Sequence, residues 1–391
     1  MTTAMDTLLY DISIPAISSL QGSLIGQANF MQLMSTVFDP KYAFLIYSPI
    51  VFLLDAQVGK KLIMTTVIAE WLNQVLKWFL HGERPYWYVH SSGLFDPQQT
   101  PIKQFPITCE LGPGHPSGHA MVTAAVWYII LSSLYQAYVN YGQQQRQQQE
   151  QQQPQKLQED KHQHQQVAKH NESTSAIKCA TWALYGALLL LVSVSRVFLG
   201  CHFPHQCLAG AALGLLVAKF ISSRQNISPT DYVAASVLLF TTAFGTFGLL
   251  QALGLDPNWT IRLATTHCVK REYIHLDTAP FFSIMRYCGF ALGCGLGLML
   301  PLKGYAKQQL LFPSESEPQV SVESQAASIE DVKNPFSFTN LSWLSFKLVT
   351  AMLMARLVDN LGLFVSHSNL YVFYSASFAA YTAFSYAFVN L

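Results

Sequence analysis

An all-α, polytopic membrane helix bundle of about nine spanning helices is the fold class this sequence predicts, and three observations predict it. Apolar residues make up 51% of the chain and charged residues only 12%, where soluble domains carry about 25% charged residues. Several apolar stretches reach or approach the roughly 20 residues that a spanning helix needs. Lys and Arg gather in alternate loops between those stretches, as the orientation rule for membrane proteins requires. With a net charge of +1, nothing in the charge pattern points to a nucleic-acid partner.

The predicted spans run at about 30–55, 62–82, 119–139, 177–196, 204–221, 231–252, 282–301, 341–361 and 370–390, and residues 1–391 read as a single integral membrane domain. The first span contains Pro49 and has a short apolar part. Lys60 and Lys61 follow it; Arg146, Lys156, Lys161, Lys169 and Lys178 lie between spans three and four; Lys219 and Arg224 follow span five; Lys303, Lys307 and Lys333 lie between spans seven and eight. Parity puts all these loops on one side, and the Lys/Arg bias makes that side cytosolic. The N-terminus is then expected on the lumenal or extracellular side and the C-terminus in the cytosol. The opening MTTAMDTLLYDISI has no basic n-region and no small-residue cleavage site, so the first span is expected to serve as its own insertion signal.

Residues 141–175 form a glutamine-rich insert, opening YGQQQRQQQEQQQ, with almost nothing apolar to bury. Such a tract cannot offset the entropy of ordering, so it is expected to be disordered and cytosolic. His162, His164 and His170 read as part of that solvated tract rather than as metal ligands. Residues 303–336 read as a second, flexible cytosolic loop. The seven cysteines follow no spacing that demands a disulfide framework, and most read as small buried hydrophobes. A Cys109–Cys268 bridge between loops on one membrane face stays open, because connectivity is not legible in sequence.

The chemistry concentrates in three stretches. In KWFLHGERPYW, the spacing of Lys77, His81 and Arg84 puts them on one helical face at the end of span two. One cation there could simply snorkel to the interface. In GPGHPSGHA, residues 112–120, glycines and prolines crowd the mouth of span three beside two imidazoles. In SRVFLGCHFPHQCLAG, Arg196 ends span four and Pro204 suits the first turn of span five. Cys201, His202, His205 and Cys207 superficially resemble a zinc cluster, but the spacing lacks a Cys-x-x-Cys pair and faces different sides of a helix. No metal and no cofactor is expected.

Parity brings Lys77, Arg84, Ser117, Gly118, His119, Arg196 and His202 to one membrane face. Free N–H groups at helix starts attract anions, and Arg is shaped for bidentate contact with phosphate oxygens. Snorkelling explains one such cation but not the group, and a cluster of this kind marks a functional site. One histidine can attack phosphorus and the other can exchange a proton, a sufficient set for phosphomonoester hydrolysis. His202 reads as the nucleophile and His119 as the general acid, whereas His115 reads as part of the turn.

Lys77-x6-Arg84-Pro85, Pro116-Ser117-Gly118-His119 and Ser195-Arg196-x5-His202, in that order, resemble the signature of the type 2 phosphatidic acid phosphatase and vanadium haloperoxidase superfamily. GERPYWYV, IKQFPITCELGPGHPSGHAM, SRVFLGCHFPHQCLAG and YIHLDTAPF resemble, more narrowly, the glucose-6-phosphatase catalytic subunits, over most of residues 1–300. The resemblance implies hydrolysis of glucose 6-phosphate at the lumenal face of the endoplasmic reticulum. It implies His202 as phosphoacceptor, His119 as proton donor to the sugar oxygen, and Lys77, Arg84, Arg196, Ser117 and Gly118 as phosphate ligands. It also implies sugar contacts from Asp39 and Glu110, and coupling to a separate glucose-6-phosphate transporter. Three positions depart from it. Gln206 stands where the wider superfamily has Asp, although HFPHQ is the glucose-6-phosphatase form. Leu111 stands where that family usually has Thr, and FSYAFVNL lacks the dilysine retrieval signal of many members. A lipid phosphate phosphatase would share the phosphate chemistry and differ in its groove, against which Gln206 and IKQFPITCE argue. A weakly active paralogue, or a non-catalytic transporter or receptor, would keep the spans, and the last would tolerate loss of His202.

Overall fold

Long apolar runs leave the backbone no hydrogen-bonding partner except itself, so helix is the conformation that satisfies each N–H and C=O within the segment. The computed structural model describes residues 4–95, 101–152, 160–301, 338–365 and 370–391. Its helices, in chain order, are α1 (Ala4–Ser23), α2 (Ala28–Val37), α3 (Pro40–Tyr42), α4 (Ser48–Leu54), α5 (Ala56–Leu80), α6 (Pro85–Ser91), α7 (Gly118–Gln152), α8 (Asp160–Phe198), α9 (Pro204–Ser222), α10 (Pro229–Ala252), α11 (Trp259–His267), α12 (Pro280–Met299), α13 (Phe338–Val365) and α14 (Leu370–Val389). A π turn, Ala43–Tyr47, joins α3 to α4. Two short strands, β1 (Cys109–Glu110) and β2 (Ile274–His275), pair in parallel.

Among the described residues, six helices are long and apolar enough to cross a membrane, from α7, α8, α9, α10, α12 and α14. Ile25–Val37 and Pro40–Leu54, bent by 43°, add a seventh if they act as one span. Nine are therefore not all recovered. Helices α5 and α13 are long enough, at 25 and 28 residues. Polar side chains interrupt them: Glu70, Asn73, Gln74 and Lys77 on α5, and Lys347, Arg356 and Asp359 on α13. The bend in the first predicted span falls at Asp39, not at Pro49. Asp39 caps α3 by accepting from the Lys41 N–H at 2.9 Å, and Pro40 supplies the first helical residue.

Helix α1 is one that hydropathy alone does not predict. Its buried residues Tyr10, Ile14, Ile17 and Gln21 follow the i, i+4, i+7, i+11 stripe of an amphipathic helix. The glutamine-rich tract differs from the disorder expected of it at both ends, where α7 carries helix through Gln152 and α8 begins at Asp160. Gln is a good helix former, and a span already nucleated extends cheaply. Residues 153–159 and the whole of the 303–336 loop lie outside the described residues.

Packing brings the site together. Helix α7 runs along α9 and α5. Gly210 and Gly214 permit this: a Cβ on Gly210 would stand 2.5 Å from the Ser117 carbonyl, and one on Gly214 would overlap the Met121 carbonyl. Small residues four apart allow such close helix contact in membranes. On the other flank α12 packs against α10, α5 and α14 around Phe44, Trp78, Tyr232 and Phe290.

Candidate active site

Every site residue but Glu110, which lies on β1, sits where a helix begins, ends or breaks. Helix α5 stops at Leu80, and His81 closes it in a left-handed conformation, φ 47°. His81 and Arg84 therefore do not continue the helical face of Lys77, a correction to the spacing argument. His81 instead stacks on Trp259, and Arg84 enters from the loop as the residue capping α6. The 112–117 turn is pinned to both neighbours: the Gly114 N–H donates to the Gly82 carbonyl at 2.7 Å, and the Ser117 N–H to the Gln206 carbonyl at 3.0 Å. Beyond α8, Gly200 turns the chain at φ 68°, a conformation that favours glycine, and the turn delivers His202 just ahead of Pro204.

His202 is fully buried. Its Nδ1 lies 2.8 Å from the Gly114 carbonyl and 3.3 Å from Gln206 Oε1. A carbonyl only accepts, so Nδ1 carries the hydrogen and Nε2 the lone pair. Arg84 Nη1 donates toward that lone pair at 3.3 Å. Gln206 also accepts from the Phe203 N–H at 3.1 Å and donates to the Glu83 carbonyl at 2.8 Å. It thus orients the imidazole through a fixed amide. Burial, then the Arg84 charge, pushes the His202 ring well below the usual histidine pKa despite the opposing pull of Glu110, so the ring stands neutral and nucleophilic.

Arg84 is equally buried. Its Nε donates to the Gly112 carbonyl at 2.7 Å, Nη2 to Pro113 at 3.1 Å and Nη1 to Cys201 at 3.1 Å. Arg84 Nη1 also pairs with Glu110 Oε2 at 2.8 Å. Arg196 Nη2 pairs with the other carboxylate oxygen, Oε1, while its Nη1 donates to Ser35 Oγ at 2.5 Å. Glu110 Oε1 stands 3.8 Å from His119 Nδ1, and Oε2 stands 3.9 Å from His202 Nε2. Burial pushes the Glu110 carboxyl up, but Arg196 and Arg84, then His119 and His202, hold it well below the usual carboxylate range. An anionic group with two oxygens therefore sits between two guanidiniums and two imidazoles.

The remaining expected residues are placed less uniformly. Asp39 Oδ2 faces His119 Nε2 at 4.0 Å. The Lys77 ammonium comes within 3.9 Å of where a Gly112 Cβ would stand, at the edge of the cluster. Ser117 is buried at the start of α7, with its hydroxyl 3.5 Å from the Ala120 N–H, and Gly118 abuts Asn73. Neither lines the cavity over the site. That cavity is lined by Asp39, Glu110, His119 and Arg196 together with Ser35, Thr36, Ile107, His275, Asp277 and Thr278. Arg84 and His202 lie behind Glu110, away from its wall.

Sequence reasoning missed Ser35, His275, Asp277 and Thr278. Ser35 has no local signal. YIHLDTAPF was singled out, but its placement depends on β1–β2 pairing, which sets His275 opposite Glu110, and on the Cys109–Cys268 disulfide, the pairing left open by spacing. The Leu111 substitution also resolves. Its side chain is buried in an apolar cluster with Tyr86 and Trp87. Its N–H donates to Thr278 Oγ1 at 2.9 Å, and its carbonyl accepts from Thr260 Oγ1 at 2.7 Å.

The sequence profile of the PAP2 superfamily matches residues 59–228, which carry all three motif stretches. The chain is 38% identical over 287 residues to glucose-6-phosphatase catalytic subunit 1 of Haplochromis nubilus, covering 71% of this chain and 73% of that protein. It is 35% identical over 305 residues to the Canis lupus familiaris protein of that name, covering 76% and 77%. It is 33% identical over 286 residues to glucose-6-phosphatase 2 of Homo sapiens, covering 72% and 74%. No solved structure matches the chain significantly. Likeness over three quarters of the length, apolar helices and a polar cluster at their ends lead to one conclusion: this chain is a multi-pass membrane phosphatase and belongs to the glucose-6-phosphatase family.

Proposed function

We propose that the protein hydrolyses glucose 6-phosphate to glucose and inorganic phosphate through a phosphohistidine on His202. The observation that carries this reading is the Glu110 carboxylate, held by Arg84 and Arg196 with an imidazole on either side. A phosphoryl group has the charge and the oxygens to take that place, and the relatives named for glucose 6-phosphate support the sugar as its carrier.

Substrate phosphate displaces Glu110 from the two guanidiniums and so reaches His202, with Lys77 as a third cation. His202 Nε2 attacks phosphorus, and the bond from phosphorus to the sugar oxygen breaks. His119 gives its proton to that oxygen, and glucose leaves. Water then attacks the phosphohistidine, His119 takes a proton from it, and phosphate departs with His202 restored. The Nδ1–H bond to Gly114 holds the ring in the tautomer this requires. The charge bias of the loops supports an active face on the non-cytosolic side, and the family resemblance supports the endoplasmic reticulum as the membrane and a separate glucose-6-phosphate transporter as the source of substrate.

Replacing each histidine and measuring two esters tests the assignment. His202→Ala abolishes hydrolysis of every substrate and leaves no labelled phosphoenzyme. In kcat/KM, which reports only the steps up to the phosphoenzyme, His119→Ala loses about 10²–10⁴-fold on glucose 6-phosphate and much less on nitrophenyl phosphate, whose leaving group needs no proton. Equal losses on both esters would reassign His119 to phosphate binding, and phosphoenzyme in His202→Ala would locate the nucleophile elsewhere.

A further inference from the structure

We infer that Asp277 is a specificity-determining residue, accepting a hydrogen bond from a hydroxyl of the sugar. This rests on the reading that a hexose phosphate is the substrate.

The cavity has two ends of different chemistry. At one, Arg196, His119 and Glu110 converge on the phosphate position. At the other, Asp277 approaches Lys41, and Asp39 stands between the two, 4.0 Å from His119 Nε2 and bonded to the Lys41 N–H. Lys41 Nζ is 3.1 Å from Asp359 of α13 and 3.9 Å from Asp277, and its backbone N–H occupies Asp39 Oδ1 at 2.9 Å. Asp277 is thus held near a cation that is committed elsewhere. Its other near neighbour, His275 Nδ1, also stands at 3.9 Å, beyond hydrogen-bond reach. The His275 ring is anchored through Nε2, 2.8 Å from the Pro106 carbonyl.

The Asp277 side chain is 33% exposed and lines the cavity, so its acceptor sites face the space that a leaving group must fill. Two features hold it there. Register sets His275 against Glu110, and Thr278 binds the Leu111 N–H. A polyhydroxylated leaving group satisfies such a carboxylate. An acyl chain would desolvate it without a partner, which is costly.

The test compares wild type, Asp277→Asn and Asp359→Asn on glucose 6-phosphate, its deoxy analogues and nitrophenyl phosphate. Losing a hydrogen bond to a charged group costs about 10–150-fold. Asp277→Asn should lose about that much in kcat/KM on glucose 6-phosphate, mainly through KM, and stay within about twofold on nitrophenyl phosphate. It should also lose discrimination against one deoxy analogue. Asp359→Asn, which breaks the Lys41 pair outside the cavity, should keep that discrimination. If Asp359→Asn reproduces the Asp277→Asn pattern, the effect runs through Lys41 and the inference fails. Equal losses on both esters in Asp277→Asn also overturn it. A wild type that prefers nitrophenyl phosphate and ignores hexose phosphates refutes the substrate reading instead.

Discussion

At the scale of single residues, the unusual feature is a carboxylate filling an anion site. Glu110 bridges Arg84 and Arg196 while facing both imidazoles. Removing one partner of a buried ion pair leaves the other charge uncompensated, at about 3–5 kcal/mol. Glu110→Gln should therefore lower the Tm of the detergent-solubilised protein. Inorganic phosphate should raise the variant's Tm more than the wild type's, because the anion replaces the lost charge. A variant that phosphate does not rescue would show that the anion site lies elsewhere. The pH dependence follows with its sign. The folded Glu110 pKa is depressed, so its contribution is complete above the ordinary carboxylate value of 4.5 and disappears as pH falls through the lower folded value. His202 is depressed too, so its stabilising neutral form holds above the ordinary histidine value of 6.5 and is lost only well below it. The acid limb of kcat/KM that belongs to the nucleophile should accordingly lie well below pH 6.5. A nucleophile limb at or above 6.5 would mean that His202 is not buried as described.

At the scale of elements, the site depends on a loop that a covalent link holds in place. The Cys109–Cys268 disulfide spans 159 residues and connects β1, next to Glu110, to the end of α11. Gln104 adds hydrogen bonds on the same seam, to the His267 carbonyl at 2.8 Å and from the Val269 N–H at 2.9 Å. Native disulfides typically contribute about 2–4 kcal/mol. Cys268→Ser should lower thermal stability by an amount in that range, and dithiothreitol should bring the wild type to the same Tm. Because the same loop carries His275 and Asp277, hydrolysis of the sugar ester should suffer more than that of nitrophenyl phosphate. Unchanged stability in Cys268→Ser would show that β1–β2 pairing and α11 packing suffice without the link.

At the scale of the whole molecule, the ends of α5, α8 and the start of α7 and α9 meet at one end of the bundle, as parity requires of alternating spans. Asn258 opens α11 in the same region: the sequon Thr260 donates to Leu111, two residues from Cys109. Asn226 lies at the opposite ends of α9 and α10. If the active face is lumenal, a glycan can be attached at Asn258, before α11 docks and buries Thr260. A glycosidase-sensitive mobility shift should then vanish in Asn258→Gln and persist in Asn226→Gln. The reverse pattern would invert the topology.

What the sequence determined by itself is whatever short-range patterning encodes. Apolar runs marked the helices because a bilayer forbids unpaired backbone, and three motifs named the two histidines and two arginines that gather around Glu110, with Lys77 at the edge of that cluster, because chemistry restricts residue type at fixed spacing. The departures have a common physical cause. The helix of the second predicted span is there as α5, but its polar residues face a bundle interior that tolerates what lipid does not, whereas α1 had no apolar run to announce it. Glu110 reads as a sugar ligand in the motif, yet it meets Arg196 across 86 positions of chain. Ser35 reaches Arg196 across 161, and Asp277 enters the cavity only through strand register and the disulfide. Such contacts carry no local periodicity. They exist only once Gly210 and Gly214 let α9 close on α7 and the 268–279 loop folds over the helix ends, so tertiary packing alone decided that Glu110 meets the two arginines and that Asp277 lines the same cavity.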